Sequence, residues 1–101
     1  MADQSNFRDV ERVACFSVRA VEHPGSMPRV LGVFAKESLT PTRWTSAVDD
    51  GRVTMEIQMA GLAAARAEYL AEVIRSMPIV ETVLTSAKSA SPERARALGS
   101  A

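Results

Sequence analysis

The order of apolar and polar residues along the chain predicts four strands and two helices. Alternation, which is typical of a half-buried strand, marks residues 13–21 and, more clearly, the residues between Gly51 and Gly61. In both strands one alternating set is the more apolar, and we expect it to face the helices: Ala14, Phe16, Val18 and Ala20 in the first strand, and Val53, Met55, Ile57 and Met59 in the other. Two further strands are predicted over residues 39–48 and 79–85.

Two stretches have the spacing of amphipathic helices. The first opens after the turn residues Pro24-Gly25 and fades near residues 36–38, with Pro28 in the first turn, where its missing N–H removes no helix bond. Its apolar stripe, which we interpret as core, is Met27, Val30, Leu31 and Phe34. The second helix is predicted over residues 62–77 and is stopped by Pro78. Its predicted buried face is Leu62, Ala65, Tyr69, Leu70, Val73, Ile74 and Met77.

The elements follow one another as strand, helix, strand, strand, helix, strand. This order is the double split βαβ of ferredoxin-like α+β folds, and its simplest packing is a four-stranded antiparallel sheet with both helices on one face. Pro41 cannot donate a ladder hydrogen bond, so the second strand should lie at an edge or begin irregularly. Asp49-Asp50-Gly51 predicts a tight hairpin between the second and third strands.

The chain has 101 residues, which suits a single domain. Its 12 basic and 12 acidic residues balance, and its few aromatic residues are scattered. Nucleic-acid binding usually needs a basic stripe or clustered aromatics, so we expect no nucleic-acid partner. No apolar run approaches the ~20 residues of a membrane span, and the polar N-terminal residues lack the apolar core of a signal peptide. We therefore expect a cytoplasmic protein with no membrane partner.

Residues of catalytic chemistry are sparse. His23 is the only histidine and Cys15 the only cysteine, so spacing indicates neither a nucleophile–base pair nor a multi-cysteine metal site. We interpret Cys15, in the middle of a strand, as a buried and inert thiol. The acids Asp49 and Asp50 suit a turn, and the five glycines are isolated, unlike those of a phosphate-binding loop. The sequence predicts no enzyme, no catalytic residue, no cofactor and no metal site.

The segment from Glu22 to Met27 is the place where the pattern favours a ligand. It joins the end of a strand to the start of a helix, where backbone N–H groups lack a helical partner and attract a carboxylate. Gly25 has no Cβ and would let a ligand or another backbone approach closely. The alternative interpretation is that Pro24-Gly25 is only a turn and His23 an exposed loop residue. The residues alone leave both interpretations open.

The stretch from Val21 to Phe34, VEHPGSMPRVLGVF, resembles the signature of ACT domains. In that signature an Asn or Asp is followed, after two variable residues, by glycine, then by an apolar residue, Arg-Val and a helical Phe; the matching positions here are Glu22, Gly25, Met27, Arg29, Val30 and Phe34. The resemblance implies an ACT domain over residues 12–86, between flexible tails at 1–11 and 87–101. Among ACT proteins, the chain looks most like the small regulatory subunit of acetolactate (acetohydroxyacid) synthase, an enzyme of branched-chain amino-acid biosynthesis.

The resemblance implies a homodimer that binds an amino-acid effector and regulates a large catalytic subunit. The effector-binding positions carried over from it are Glu22, His23, Pro24, Gly25, Ser26 and Met27, together with Thr40, Pro41 and Thr42, which would face the loop of the partner subunit. An ionised Glu22 only accepts hydrogen bonds, so it would favour a ligand amine and repel its carboxylate. Ser38, Thr40 and Pro41 also depart from the family pattern.

These departures motivate an alternative function. The chain would then be a dimeric interaction module that has lost its ligand and stabilises a larger partner. Trp44, expected to face solvent on the edge strand, would belong to the surface that this partner contacts.

Overall fold

The computed structural model describes residues 12–89, which form four strands and two helices. In chain order these are β1 (Arg12–Val21), α1 (Ser26–Lys36), β2 (Arg43–Asp49), β3 (Arg52–Ala60), α2 (Ala64–Arg75) and β4 (Val80–Ser89). All three strand pairings are antiparallel, and the strands lie side by side in the order β2-β3-β1-β4. The predicted ferredoxin-like α+β fold is confirmed. Neither helix of this part of the chain is long and apolar enough to cross a membrane.

The strand pairing brings the predicted apolar sets onto one face of the sheet. Phe16 lies opposite Ile57, and Val18 lies opposite Met55, because directly paired residues of antiparallel strands share a face. Both helices cover this face, and the core that they enclose is Ala14, Phe16, Val18, Ala20, Val30, Val33, Phe34, Val53, Met55, Ile57, Met59, Leu62, Ala67, Leu70, Ala71, Ile74 and Val83. At its centre the rings of Phe16 and Phe34 meet edge to face, with centroids 5.4 Å apart.

The edge position of β2 and its irregular start are as predicted, although the strand begins at Arg43 and not at residue 39. Residues 39–42 run beside the sheet without forming a ladder, since Pro41 has no N–H to donate. Thr42 fastens this segment to β3. Its N–H donates to the Gln58 carbonyl at 2.8 Å, and its Oγ1 accepts the N–H of Ala60 at 2.9 Å.

The two tight connections around β2 use positive φ angles. At the β2–β3 hairpin the central residues Asp50 and Gly51 have φ of 55° and 77°, as a type I′ turn requires. Helix α1 ends in a Schellman motif, in which Leu39 N–H donates to Phe34 O at 2.9 Å and Ser38 N–H to Ala35 O at 3.0 Å. Ser38 holds the left-handed position of this motif with φ of 60°, where glycine is the usual residue.

The predicted buried face of α2 is partly wrong. Ala65 and Tyr69 are exposed, Val73 is half-buried, and the buried helical residues are Ala67, Leu70, Ala71 and Ile74. These four residues are spaced i, i+3, i+4 and i+7, so they form a regular helical stripe. Leu62 and Met77 lie just outside the helix at its two ends, Leu62 buried and Met77 half-buried. The sequence pattern favoured the side of α2 that carries the large Tyr69. It did not single out Ala67 and Ala71, because alanine is only weakly diagnostic of burial.

Three further expectations need correction. Strand β4 continues to Ser89, so residues 87–89, expected in the C-terminal tail, pair with β1. Leu31, interpreted as core, is 44% exposed. Cys15 is half-buried rather than buried, because it belongs to the strand set that faces away from the helices. The rest of both predicted tails, residues 1–11 and 90–101, lies outside the described residues.

Candidate functional site

The loop from Glu22 to Met27 is held at its start, where it leaves β1, by two neighbouring connections. Val21 N–H donates to Ile79 O at 2.9 Å, which ties the end of β1 to the α2–β4 connection. Glu22 N–H donates to Gly51 O, also at 2.9 Å, which ties the loop to the β2–β3 hairpin. Since two separate turns fix the backbone here, the start of α1 has a defined position at this end of the sheet.

Ser26 anchors the start of α1 from inside the protein. It is fully buried, and its Oγ donates to Val21 O at 2.7 Å. This hydrogen bond closes the loop by joining its last turn to the end of β1. Ser26, predicted as an effector-binding residue, is therefore placed with its hydroxyl turned toward the backbone of its own loop.

The loop uses two of its own amides internally. Gly25 N–H donates to Nδ1 of His23 at 2.9 Å, and Ser26 N–H donates to His23 O at 2.9 Å. Pro28 has no N–H, and Arg29 N–H already donates to Gly25 O at 3.2 Å. Within residues 12–89, the N–H of Met27 is the donor in the first turn with no acceptor. The expected row of outward amides is reduced to this one, because His23 accepts from Gly25 and Ser26, Gly25 O accepts from Arg29, and Pro28 has no N–H.

Gly25 makes room for the histidine ring. Its φ of −86° is open to any residue, so backbone strain does not require glycine. A Cβ at this position would lie 3.3 Å from Nδ1 of His23 and 3.7 Å from the guanidinium carbon of Arg29. The close approach anticipated at Gly25 is thus made by side chains of the same chain. Glu22, His23 and Pro24 are exposed around it.

In the segment before β2, Pro41 lines a cavity and Thr42 holds the segment to β3. Pro41 is half-buried and Thr40 is exposed, whereas the hydroxyl of Thr42 is engaged with β3 as described above. Pro41 meets residues of α1 across a pocket of about 380 Å³, whose lining is Met27, Pro28, Leu31, Pro41 and Trp44. We call this cavity the α1–β2 pocket. It joins the two segments from which the effector-binding residues were predicted.

Trp44 forms the wall of this pocket on the β2 side. It pairs with Ile57, a core residue, so it lies on the face of the sheet that the helices cover. Trp44 is half-buried and packs against the core, which corrects the expectation that it faces solvent. The pocket is therefore almost wholly apolar and open to solvent at the edge of the domain, where β2 has an unpaired side.

Most of the chain matches one protein family. The family model described as an ACT-like domain matches residues 7–91. The chain belongs to the ACT-like domain family. ACT domains are generally regulatory, commonly bind small-molecule effectors and commonly dimerise. No curated protein matches the chain.

Solved structures share this fold at low sequence identity. The ACT domain of GTP pyrophosphokinase from Chlorobium tepidum is 18% identical with a TM-score of 0.64, and the match covers 73% of this chain and 96% of that one in its crystal structure. The C-terminal domain of the MgtC protein from Mycobacterium tuberculosis is 17% identical with a TM-score of 0.62, covering 79% and 90%. A formyltetrahydrofolate deformylase from Pseudomonas putida is 13% identical with a TM-score of 0.54, covering 76% of this chain but 28% of that one.

Sequence reasoning missed three of the pocket residues in this ACT-like domain. Pro28 was interpreted as a helix-start residue, Leu31 as core and Trp44 as a solvent-facing residue. Leu31 follows Met27 by four residues, so both lie on one side of α1. Helical spacing shows which residues share a side, but it does not show whether that side meets the core or an open pocket. Within residues 12–89, no group of three metal-ligating side chains comes together.

Proposed function

We propose that this ACT-like domain is a regulatory module that binds the side chain of an apolar amino acid in the α1–β2 pocket. The observation that supports the proposal is the juxtaposition of Met27 and Pro41 in one apolar cavity of about 380 Å³. A cavity of this size suits a small effector, and its lining favours an aliphatic or aromatic side chain over a polar one.

The proposal also assigns the polar ends of the ligand. The free N–H of Met27 lies in the first turn of α1, where the positive end of the helix dipole favours a carboxylate. The exposed carboxylate of Glu22 would accept from the ligand amine. The Gly25 N–H already donates to Nδ1 of His23, so it is not available to a second carboxylate oxygen. We therefore expect one backbone hydrogen bond to the carboxylate and a modest affinity.

A second copy of the chain would complete the site. The α1–β2 pocket is open at the β2 edge, and an edge strand presents unpaired backbone groups that another strand can meet. Dimerisation along this edge would cover the pocket and bring Thr40 and Pro41 toward the partner's loop. Analytical ultracentrifugation with and without ligand tests this part of the proposal, which predicts a dimer.

Calorimetric titration of the full chain tests ligand binding. Valine, leucine, isoleucine, methionine and phenylalanine are compared with alanine and glutamate, and saturable heat is expected from at least one of the first five. Leu31→Ser should abolish that heat without unfolding the protein, because Leu31 is 44% exposed. Leu84→Ser, at an exposed leucine of β4 far from the pocket lining, is the matched control and should leave the heat unchanged. No heat from any amino acid, in a folded dimer, would refute the proposal.

The alternative function is a ligand-free interaction module. It is favoured by the two loop amides that His23 already satisfies and by the accessible Trp44. Trp44→Ala would then weaken binding to a larger partner, whereas amino acids would produce no heat and no change in that binding.

The narrower hypothesis is that the partner is the catalytic subunit of acetolactate synthase. Co-expression of the full chain with that large, thiamine-diphosphate-dependent subunit from the same source tests it. A stable complex whose synthase activity falls on addition of valine, leucine or isoleucine would support the assignment. Failure to co-purify would reject this partner but would leave effector binding by the isolated dimer to be judged by calorimetry.

A further inference from the structure

A second and larger cavity lies between the two helices. It is a groove of about 670 Å³ on the outer side of the helical layer, and it shares no lining residue with the α1–β2 pocket. Its lining is Arg29, Gly32, Val33, Lys36 and Glu37 on one side and Tyr69, Val73, Met77, Pro78 and Ile79 on the other. We call it the interhelical groove. The inference drawn from it does not rest on the proposed function.

The floor of the groove is apolar and its α1 rim is positively charged. Val73, Met77 and Ile79 are half-buried, and Tyr69 is 56% exposed. On the rim, neither Arg29 nor Lys36 has an ion-pair partner within residues 12–89.

The charge of the groove is not cancelled by its one acid. Glu37 pairs at 3.1 Å with Arg66 at the start of α2, so that pair contributes no net charge. Arg29 and Lys36 therefore leave the groove with an excess of two positive charges. An occupant of this surface should be apolar on the side that meets the floor and acidic on the side that meets α1.

Gly32 is the residue that the fold itself does not explain. It lies in the middle of α1, where glycine costs about 1 kcal/mol relative to alanine. A Cβ added at this position would have no atom within 4 Å, so neither a clash nor a turn requires glycine. Gly32 lies between the two cations on the groove side of α1. The absence of a side chain there lets an external backbone approach α1 closely.

The spacing of the cations points to a helical occupant. Arg29 and Lys36 are seven residues apart, which is two helical turns or about 10 Å along the axis. Two acids seven residues apart on a packed helix have the same separation, because both helices have the same rise. Apolar residues three and four positions after the first acid would then face the floor between α1 and α2.

We infer that the interhelical groove docks an amphipathic acidic helix of a partner protein, with acids at i and i+7 against Arg29 and Lys36 and its backbone passing over Gly32. An open groove between two helices exposes its occupant along its whole length, which suits a helix better than a small enclosed ligand.

A synthetic helix is the probe for this surface. The peptide is fluorescein-labelled and roughly 18 residues long, which is enough for helix formation in water. It carries Glu at i and i+7, Leu at i+3 and i+4 in each repeat, and Ala elsewhere. Two control peptides replace Glu by Lys or move the acids to the opposite side of the helix. Fluorescence anisotropy with the full chain should show saturable binding of the first peptide, and binding about tenfold weaker for both controls.

Protein variants assign the binding to the groove. The double variant Arg29→Gln/Lys36→Gln should weaken binding about tenfold and reduce its salt dependence, whereas Arg19→Gln, which removes an exposed charge from the other side of the sheet, should change neither. Gly32→Leu should abolish binding because its side chain blocks the approach to α1. It should also raise the midpoint of thermal unfolding, because leucine favours the helix and its Cβ would clash with no neighbouring atom.

The opposite signs of the two effects of Gly32→Leu separate docking from a structural role. If this variant binds the acidic peptide as well as the wild type, or if the Lys peptide binds equally, the inference is wrong. If octanoate saturates the groove and no peptide binds, the occupant is a small amphipathic anion and the helix is rejected.

Discussion

The two helices of this domain have similar lengths but different tasks. Helix α2 contacts the sheet through a single stripe that contains Ala67 and Ala71, and its other sides are largely exposed. Three sides of α1 have distinct surroundings. One side packs in the core with Val30 and Phe34, one faces the α1–β2 pocket, and one faces the interhelical groove. Both candidate binding surfaces thus involve α1, whereas α2 contributes to the interhelical groove alone.

The large side chains of these two helices do not all lie in the core. Leu31 and Tyr69 are both large and exposed, and each lines a cavity rather than packing inside. The core side of α1 contains one large ring, Phe34, whereas that of α2 combines two aliphatic residues with the alanines Ala67 and Ala71. Truncation of Phe34 on α1 and enlargement of Ala71 on α2 should therefore both destabilise the fold.

Truncation of Phe34, the buried ring of α1, should have the largest effect on stability. Phe34 is fully buried against Phe16, so Phe34→Ala is expected to destabilise the fold by about 3–5 kcal/mol, enough to unfold much of a small domain at room temperature. Urea unfolding followed by circular dichroism measures this loss. Tyr69→Ala on α2 is the control and should cost less than about 1 kcal/mol; equal losses would contradict the placement of Phe34 in the core and of Tyr69 at the surface.

Enlargement of a small residue on α2 should come next. Ala71→Leu inserts volume into a packed core and is expected to cost about 1–3 kcal/mol. Ala65→Leu, at an exposed position of the same helix, should change stability by less than about 0.5 kcal/mol. The same unfolding experiment distinguishes the observed buried face from the face that the sequence pattern predicted, since that pattern would place Ala65 in the core.

The buried hydroxyl at the start of α1 should have an intermediate effect. Ser26→Ala leaves the Val21 carbonyl without its side-chain donor and is expected to cost about 1–3 kcal/mol. Ser76→Ala removes a hydroxyl bond of similar length to Val73 O at an exposed position, and should cost much less. Amide hydrogen exchange of Arg29 offers a second measurement, because its N–H donates to Gly25 O and should exchange faster in a loosened loop. Unchanged exchange and stability would show that Ser26 does not anchor α1.

The smallest expected effect is a gain of stability at the other end of α1. Ser38 holds a positive φ that glycine adopts without a steric cost, so Ser38→Gly should stabilise the domain by about 1 kcal/mol. For a domain of this size the melting temperature should rise by roughly 4–8 °C. Thermal denaturation measures it, with Ser46→Gly on exposed β2 as the control, which should not stabilise.

The order of the elements and the core of the sheet follow directly from the chain's local patterns. Alternation in β1 and β3 predicted which residues face the helices, and the pattern around Pro41 predicted the edge strand. The resemblance between residues 21 and 34 and the ACT signature predicted the family. These features are local, because a strand's period of two and a proline's missing N–H act whatever the rest of the chain does.

Tertiary packing alone decided the remaining features. It turned Trp44 inward and left Leu31 at an open pocket, because both outcomes depend on the distance between α1 and β2. It also set the His23 ring over Gly25 and used the donors that the loop was expected to offer. Helical periodicity ranks the sides of α2 by apolar character, but only contact with the sheet selected the side with two alanines. The candidate binding surfaces lie where elements distant in sequence meet, and no local pattern contains that information.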